Sequence, residues 1–352
     1  MYKAKHIKYL LKFKNPSGTS RGVLTEKETY FLKLWKENEP DVIGIGECCL
    51  LKGLSYDDKP GYENKLAEVC QNIGEYIDNI SDKLIEFPSI CLGLETAIKD
   101  FQSVDKRILF PSDFTDGAEG IPINGLIWMG DIGYMKEQLR KKVEEGFRCI
   151  KIKIGAIEFE EELKFINAMR KDYPQNYFEI RLDANGAFGM DDVMEKLRRL
   201  SKHNIHSIEQ PIKQGNWAAM AQLCSETPIP IALDEELIGV YLYEEKEKLI
   251  SSIKPQYIIL KPSLLGGFKQ CEQWIEIANK YKIGWWVTSA LESNIGLNAI
   301  AQWTYTLRSK LPQGLGTGQL YINNIVSPLL IEDSKLWYMG NGWSLDRIDT
   351  EE

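Results

Sequence analysis

The chain has 352 residues, 43% of them hydrophobic, with a net charge of -8 at pH 7 and a pI near 5.3. That length suits one large domain with a smaller companion, and the acidic balance argues against nucleic acid or an anionic membrane surface as the main partner. Seven cysteines, odd in number and without a C-x-x-C pair, read as free thiols in a reducing cytoplasm rather than a disulfide or zinc framework.

The first residues lead into no uninterrupted apolar run, so neither a signal peptide nor a transmembrane helix is expected. Strands are predicted over residues 8–13, 23–35 and 42–49. Between the first two lies the turn-rich stretch 15–22, read as an irregular loop. Helical periodicity follows over 62–80 and 88–102, the second with Pro88 suited to a first turn. Strands followed by helices, without alternation, indicate a small α+β domain ending near residues 117–120.

From residue 121 the pattern becomes regular β-α alternation. Candidate strands begin near Pro122, Cys149, Glu179, Ile205, Pro230, Gln256, Ile283 and Gln313, spaced 25–30 residues apart. Amphipathic helical segments over 158–171, 191–202, 217–226 and 268–281 lie between them. No helix of similar quality follows the eighth strand. No G-x-G-x-x-G follows the first, which disfavours a doubly wound sheet. The expected fold class is α/β: a (β/α)7β TIM-like barrel as the catalytic domain over 121–320, with an α+β N-terminal capping domain over 1–120 joined by the segment 321–352.

The chemistry centres on Cys149-Ile-Lys-Ile-Lys-Ile-Gly155. Strand alternation puts Ile150, Ile152 and Ile154 on one face and Lys151 with Lys153 on the other, the two lysines roughly 6.5 Å apart. Alone, this reads as a strand with a wet lysine face. Downstream, however, Asp183, Glu209, Asp234 and Lys261 follow Lys153 at the same 25–30-residue spacing, near the carboxyl end of each successive strand. Barrel enzymes place their chemistry there. Three converging carboxylates would repel one another without a cation, and hard oxygen ligands suit Mg²⁺, or Mn²⁺ in its place, better than zinc. His6, His203 and His206 fall at no matching strand end. A neighbouring ammonium and a nearby divalent cation should both lower a lysine's pKa from its ordinary 10.4 or so. Such a base beside an electrophilic metal could remove a proton α to a carboxylate.

The set Lys151-x-Lys153, Asp183-x-Asn185, Glu209-Gln-Pro211, Asp234-Glu235 and Lys261-Pro262 resembles the enolase superfamily, muconate-lactonizing subgroup. Within that subgroup, Arg181-Leu-Asp-Ala-Asn-Gly186, Lys261-Pro-Ser-Leu-Leu-Gly-Gly267 and Ser289-Ala-Leu-Glu-Ser-Asn-Ile-Gly296 are most similar to the o-succinylbenzoate synthase family. The resemblance implies a Mg²⁺-dependent dehydratase of menaquinone biosynthesis acting on a small-molecule carboxylate. It implies Asp183, Glu209 and Asp234 as metal ligands, and Lys153, Lys261 and Lys151 as catalytic lysines. Ser289, Gly316 and Asn185 would line the substrate site, with Arg21 as partner for the substrate's free carboxylate. An N-acylamino acid racemase or a dipeptide epimerase would use the same metal and lysines. The epimerases typically carry an acidic pair after strand eight, where this chain reads Gly316-Thr-Gly318. The sequence leaves oligomeric state open, a homo-oligomer included.

Overall fold

The structure is a computed structural model, and it describes residues 1–19, 22–340 and 342–349. Three antiparallel strands open the chain: β1 (Tyr2–Thr19), β2 (Gly22–Lys36) and β3 (Glu39–Cys48). The first two continue through most of the stretch expected to be irregular. Register runs from Tyr2↔Lys36 to Lys12↔Glu26, breaks, and resumes from Ser17↔Leu24 to Thr19↔Gly22. Residues 13–16, with Pro16 among them, therefore oppose Thr25 alone. Turn-type residues here build a bulge rather than a loop, because a proline that cannot donate to the ladder is tolerated there.

Helices α1 (Tyr62–Gln71), α2 (Ile73–Tyr76), α3 (Ile80–Lys83) and α4 (Pro88–Gln102) pack on one face of this sheet. The single helix expected over 62–80 is thus broken, at Asn72 and again before Ile80. The α4 helix has the expected bounds. It crosses β3 so closely that a Cβ on Gly46 would overlap the carbonyl oxygen of Gly93.

The larger part of the chain alternates strands with helices. In order come β4 (Ile121–Pro122), β5 (Gly125–Ile127), α5 (Ile132–Glu144), β6 (Cys149–Lys153), α6 (Phe159–Asp172) and β7 (Glu179–Asp183). Then follow α7 (Val193–Ser201), β8 (Ile205–Glu209), α8 (Trp217–Glu226), β9 (Ile231–Leu233) and α9 (Tyr243–Ile253). The series ends with β10 (Tyr257–Leu260), α10 (Pro262–Leu265), α11 (Gly267–Lys280), β11 (Gly284–Val287) and α12 (Asn294–Thr306). Strands β5 to β11 form one parallel sheet in chain order.

The sheet curls until its edges meet through the segment at Gln313 and Gly314. Gln313 donates to Pro122 and accepts from Asn124, while Gly314 donates to Val287 and accepts from Ser289, all at 2.8–3.0 Å. The eighth strand is therefore two residues long. The first expected strand is also displaced: β4 pairs instead with the C-terminal hairpin of β12 (Leu329–Glu332) and β13 (Lys335–Tyr338).

The outward faces of the parallel strands and the inward faces of the helices share one large apolar core, including Ile150, Ile152 and Ile154. Inside the curl, below the site, Trp286, Ala232 and Ile259 pack together, and the Arg181 guanidinium stacks 4.2 Å from the Trp286 ring centre. A short terminal helix, α13 (Asp346–Asp349), brings Ile348 against Phe31, Ile45, Ile295 and Ile325. Phe13 bridges Tyr321, and Lys14 N donates to Leu320 O at 2.8 Å. The small sheet is thereby riveted over the open end of the curl, where Gly18 bridges Met129. All seven cysteines are reduced and buried, and among the described residues no helix is long and apolar enough to cross a membrane.

Candidate active site

Parallel register puts the charged side chains at one height. Lys151 pairs with Arg181 and Lys153 with Asp183, while Asp183 pairs in turn with Glu209. Asp234 and Lys261 directly follow β9 and β10. The lysine face of β6 is not wet: it points into the curl, with Lys151 at 6% and Lys153 at 9% exposure.

Asp183, Glu209 and Asp234 are buried beneath the lysines. Lys151 Nζ lies 2.9 Å from Asp183 Oδ2 and 3.0 Å from Glu209 Oε2. Lys153 Nζ is 2.8 Å from the same Asp183 oxygen. Lys261 donates to Asp234 Oδ2 and lies 3.7 Å from Glu209 Oε1. The two turns that carry these groups onward are strained: Asn185 and Gln210 hold φ of 44° and 39°. Left-handed backbone at residues other than glycine persists where surrounding bonds over-determine it, commonly at functional sites. Gln210 Oε1 accepts from Asp234 N and Glu236 N, at 3.2 and 3.3 Å, and so joins the ends of β8 and β9.

These contacts act on Lys151 and Lys261 against burial and the neighbouring ammonium. Burial alone would lower the pKa of Lys151, yet Asp183 and Glu209 hold it well above its ordinary value. Lys261 is likewise raised, with Asp234 and Glu209 outweighing burial and the nearby Lys151. The carboxylates touch the ammoniums directly, so their attraction exceeds repulsion between the lysines. Burial would raise Asp183, but Lys151, Lys153 and Lys261 hold it well below the usual carboxylate range. Asp234 goes the other way, because burial, Glu235 and Glu209 together outweigh Lys261.

The carboxylate set has the chemistry of a hard-cation site. As the side chains stand, no three His, Cys, Asp or Glu groups among the described residues converge as a ready metal cage. The three ammoniums occupy the space between the carboxylates instead. One oxygen, Glu209 Oε1, is buried without a hydrogen bond, which fits an all-oxygen donor set lacking one partner.

Above the lysines lies a cavity of about 510 Å³, lined by Lys151, Lys153, Asn185, Lys261, Ser289 and Gly316. Leu24, Leu51 and Lys52 from the small sheet and its following loop close it from the other side. Seven lysines line this cavity against a single carboxylate, Glu137. Lys151, Lys153 and Lys261 among them meet the buried carboxylates Asp183, Glu209 and Asp234, and Lys52 and Lys142 pair with Glu28 and Glu145.

The substrate-side residues are placed unevenly. Asn185 spans Lys153 Nζ and Glu235 Oε1, at 2.8 and 3.0 Å, so it braces a lysine as much as it lines the cavity. Ser289 donates to Glu292 Oε2 at 2.5 Å. Gly316 lines the cavity, but a Cβ there would lie nearest Ile123 and the Asn124 carbonyl, with Ile331 next. Arg21 lies outside the described residues. His206 sits low in the curl, 3.7 Å from Glu179 and against Tyr257 and Trp286, away from the carboxylates. Gln210, Glu292 and Glu47 were given no role from the sequence. The first was legible in principle, since it lies inside the Glu209-Gln-Pro211 signature.

Comparison with known proteins shows the family and the fold. The Enolase C-terminal domain-like family matches residues 134–337. An o-succinylbenzoate synthase from Desulfotalea psychrophila is 43% identical over 358 aligned positions, covering 92% of this chain and 95% of its own. The crystal structure of MenC from the same organism superposes with a TM-score of 0.85 at 40% identity, covering 96% of this chain and 99% of that one. A muconate lactonizing enzyme from Pseudomonas fluorescens, at 22% identity, shares the fold with a TM-score of 0.82 over 98% of this chain and 96% of its own.

Proposed function

Because the chain belongs to the enolase superfamily, and within it to the o-succinylbenzoate synthase family, we propose that it is a lyase dehydrating 2-succinyl-6-hydroxy-2,4-cyclohexadiene-1-carboxylate to 2-succinylbenzoate in menaquinone biosynthesis. The observation that carries this reading is the node of three carboxylates and three lysines beneath a lysine-lined cavity. The curled sheet and its helices serve as a (β/α)7β TIM-like barrel over residues 121–320. An α+β capping domain, residues 1–120 joined by 321–352, covers its mouth. The enzyme works in the cytoplasm on a small carboxylate, with neither nucleic acid nor membrane as partner.

Asp183, Glu209 and Asp234 would hold Mg²⁺, or Mn²⁺ in its place. When bound, the ion supplies an electrophile that stabilises negative charge developing at the substrate carboxylate. Lys153 takes the α-proton and delivers it to the departing hydroxide on the same face, a syn elimination. Lys151, fixed between Asp183 and Glu209, supports the enediolate charge. Lys261 faces the ring from the other side and stabilises it electrostatically. Asn185 keeps Lys153 aimed, and Ser289 and Gly316 border the space for the succinyl tail. Nothing in the geometry favours the racemase or epimerase reading over this one.

The test is conversion of the cyclohexadiene substrate by the purified protein, followed by absorbance, before and after exhaustive treatment with EDTA. Turnover should vanish on chelation and return with Mg²⁺. Full activity in the chelated protein, or no conversion under any metal condition, would overturn the reading.

A further inference from the structure

Directly after β11 the chain makes a strained turn, with Leu291 at φ 66°. Glu292, fully buried, folds its carboxylate back over that turn. Its Oε2 accepts from Ser289 Oγ at 2.5 Å and from Ala290 N at 2.8 Å, and its Oε1 accepts from Ser263 Oγ. Ser263 is itself fully buried, two residues beyond Lys261, in the short helix α10. That helix starts from the Lys261 carbonyl, which accepts from Leu264 N and Leu265 N at 2.8 and 3.0 Å. Ser289 Oγ accepts in turn from Thr317 Oγ1 at 2.7 Å, beyond the two-residue eighth strand. A single carboxylate therefore ties the ends of the sixth, seventh and eighth barrel strands together.

Building on the proposed reaction, we propose that Glu292 is a positioning residue for Lys261, acting through Ser263. The bond to Ser263 fixes the direction in which the chain leaves β10, and with it the aim of the Lys261 side chain across the cavity. A carboxylate accepts from all three donors at once. A glutamine keeps the tie only if the Ser263 hydroxyl turns to accept from its amide, which gives up a charge-assisted bond and re-aims Ser263. Lys27, buried on the same β2 face as Thr29, feels Cys49 first and then the charges of Glu47 and Glu292, which together raise its pKa against burial. Glu47 is the parallel clamp from the small sheet. It accepts from Ser293 N, Ser293 Oγ and Gly296 N at 2.5–2.9 Å, at the start of α12.

The test compares Glu292→Gln, Ser263→Ala and the double variant, each assayed for dehydration and melted by calorimetry. Each single variant should lower kcat about tenfold while changing KM less than threefold, and the double variant should be no slower than the worse single. A purely architectural role would instead lower the melting temperature and leave kcat of the folded protein unchanged. That result, or losses that multiply in the double variant, would refute the assignment. If Glu292→Gln does not fold, kcat of Ser263→Ala alone decides. Failure of the unmodified protein to dehydrate the substrate would count against the functional reading instead, and is recognised before any variant is made.

Discussion

Replacing Asp183 with alanine probes the charge balance on which the site rests. Asp183 is fully buried, and its Oδ2 contacts both Lys151 Nζ and Lys153 Nζ, at 2.9 and 2.8 Å. Removing it leaves two ammoniums in the interior with one fewer partner. Breaking a buried pair in this way typically costs about 3–5 kcal/mol, because the surviving charge keeps its desolvation penalty. At roughly 2 °C per kcal/mol for a chain of this size, the metal-free protein should melt some 6–10 °C lower. The companion Asp183→Ala/Lys153→Met removes one charge of each sign, and Lys151 retains Glu209 Oε2 at 3.0 Å. The double variant should therefore recover at least ~2 kcal/mol of the loss, a coupling of the size seen between residues in direct contact. The assay is calorimetric melting in EDTA at pH 7. An Asp183→Ala protein as stable as the original, or a double variant less stable than the single, would show that the lysines are not held by the carboxylates as described.

Stability of the metal-free protein should also depend on acid in a particular direction. Asp183 has a pKa depressed below its unfolded value of about 3.9, so its contribution is complete above about pH 4 and falls away as pH drops further; melting temperatures from pH 6 to 2 check this, and Asp183→Ala should show a smaller decline. Lys153→Ala should abolish dehydration, whereas Lys261→Arg, which keeps the cation but offers no usable base, should retain a measurable rate by the same absorbance assay. Shortening the stretch 15–22 should damage turnover more than melting temperature, because Asn15, Ser17 and Gly22 line the cavity; unchanged kinetics would show that the stretch serves only as a connection. Gly46→Ala should destabilise by about 1–3 kcal/mol in urea titration, since the new methyl would meet the α4 backbone at Gly93.

Much of this molecule is written in local pattern. Alternation in Cys149–Lys153 and Glu179–Asp183, a repeat of 25–30 residues and one charge at each strand end are properties of short stretches, and they determined the parallel strands and brought Lys153, Asp183, Glu209, Asp234 and Lys261 to one level. Period-2 geometry leaves little freedom once the strands are parallel and in register. Other features depend on partners far away in the chain. The pairing of Phe13 and Lys14 with Tyr321 and Leu320, more than 300 positions later, has no local signal at all. The eighth strand has only two residues, and what makes it a strand is its pairing with β11 on one side and the approach to β5 on the other. At Lys151 and Lys261 the carboxylates outweigh burial for the same reason. Spacing shows that ammoniums are neighbours, but only the folded distances show that carboxylates are closer still. Glu47 and Ser293 are 246 residues apart, and Glu292 and Ser263 are 29 apart. No periodicity links such positions, so these bonds emerge only when the tertiary structure brings the groups within hydrogen-bond reach.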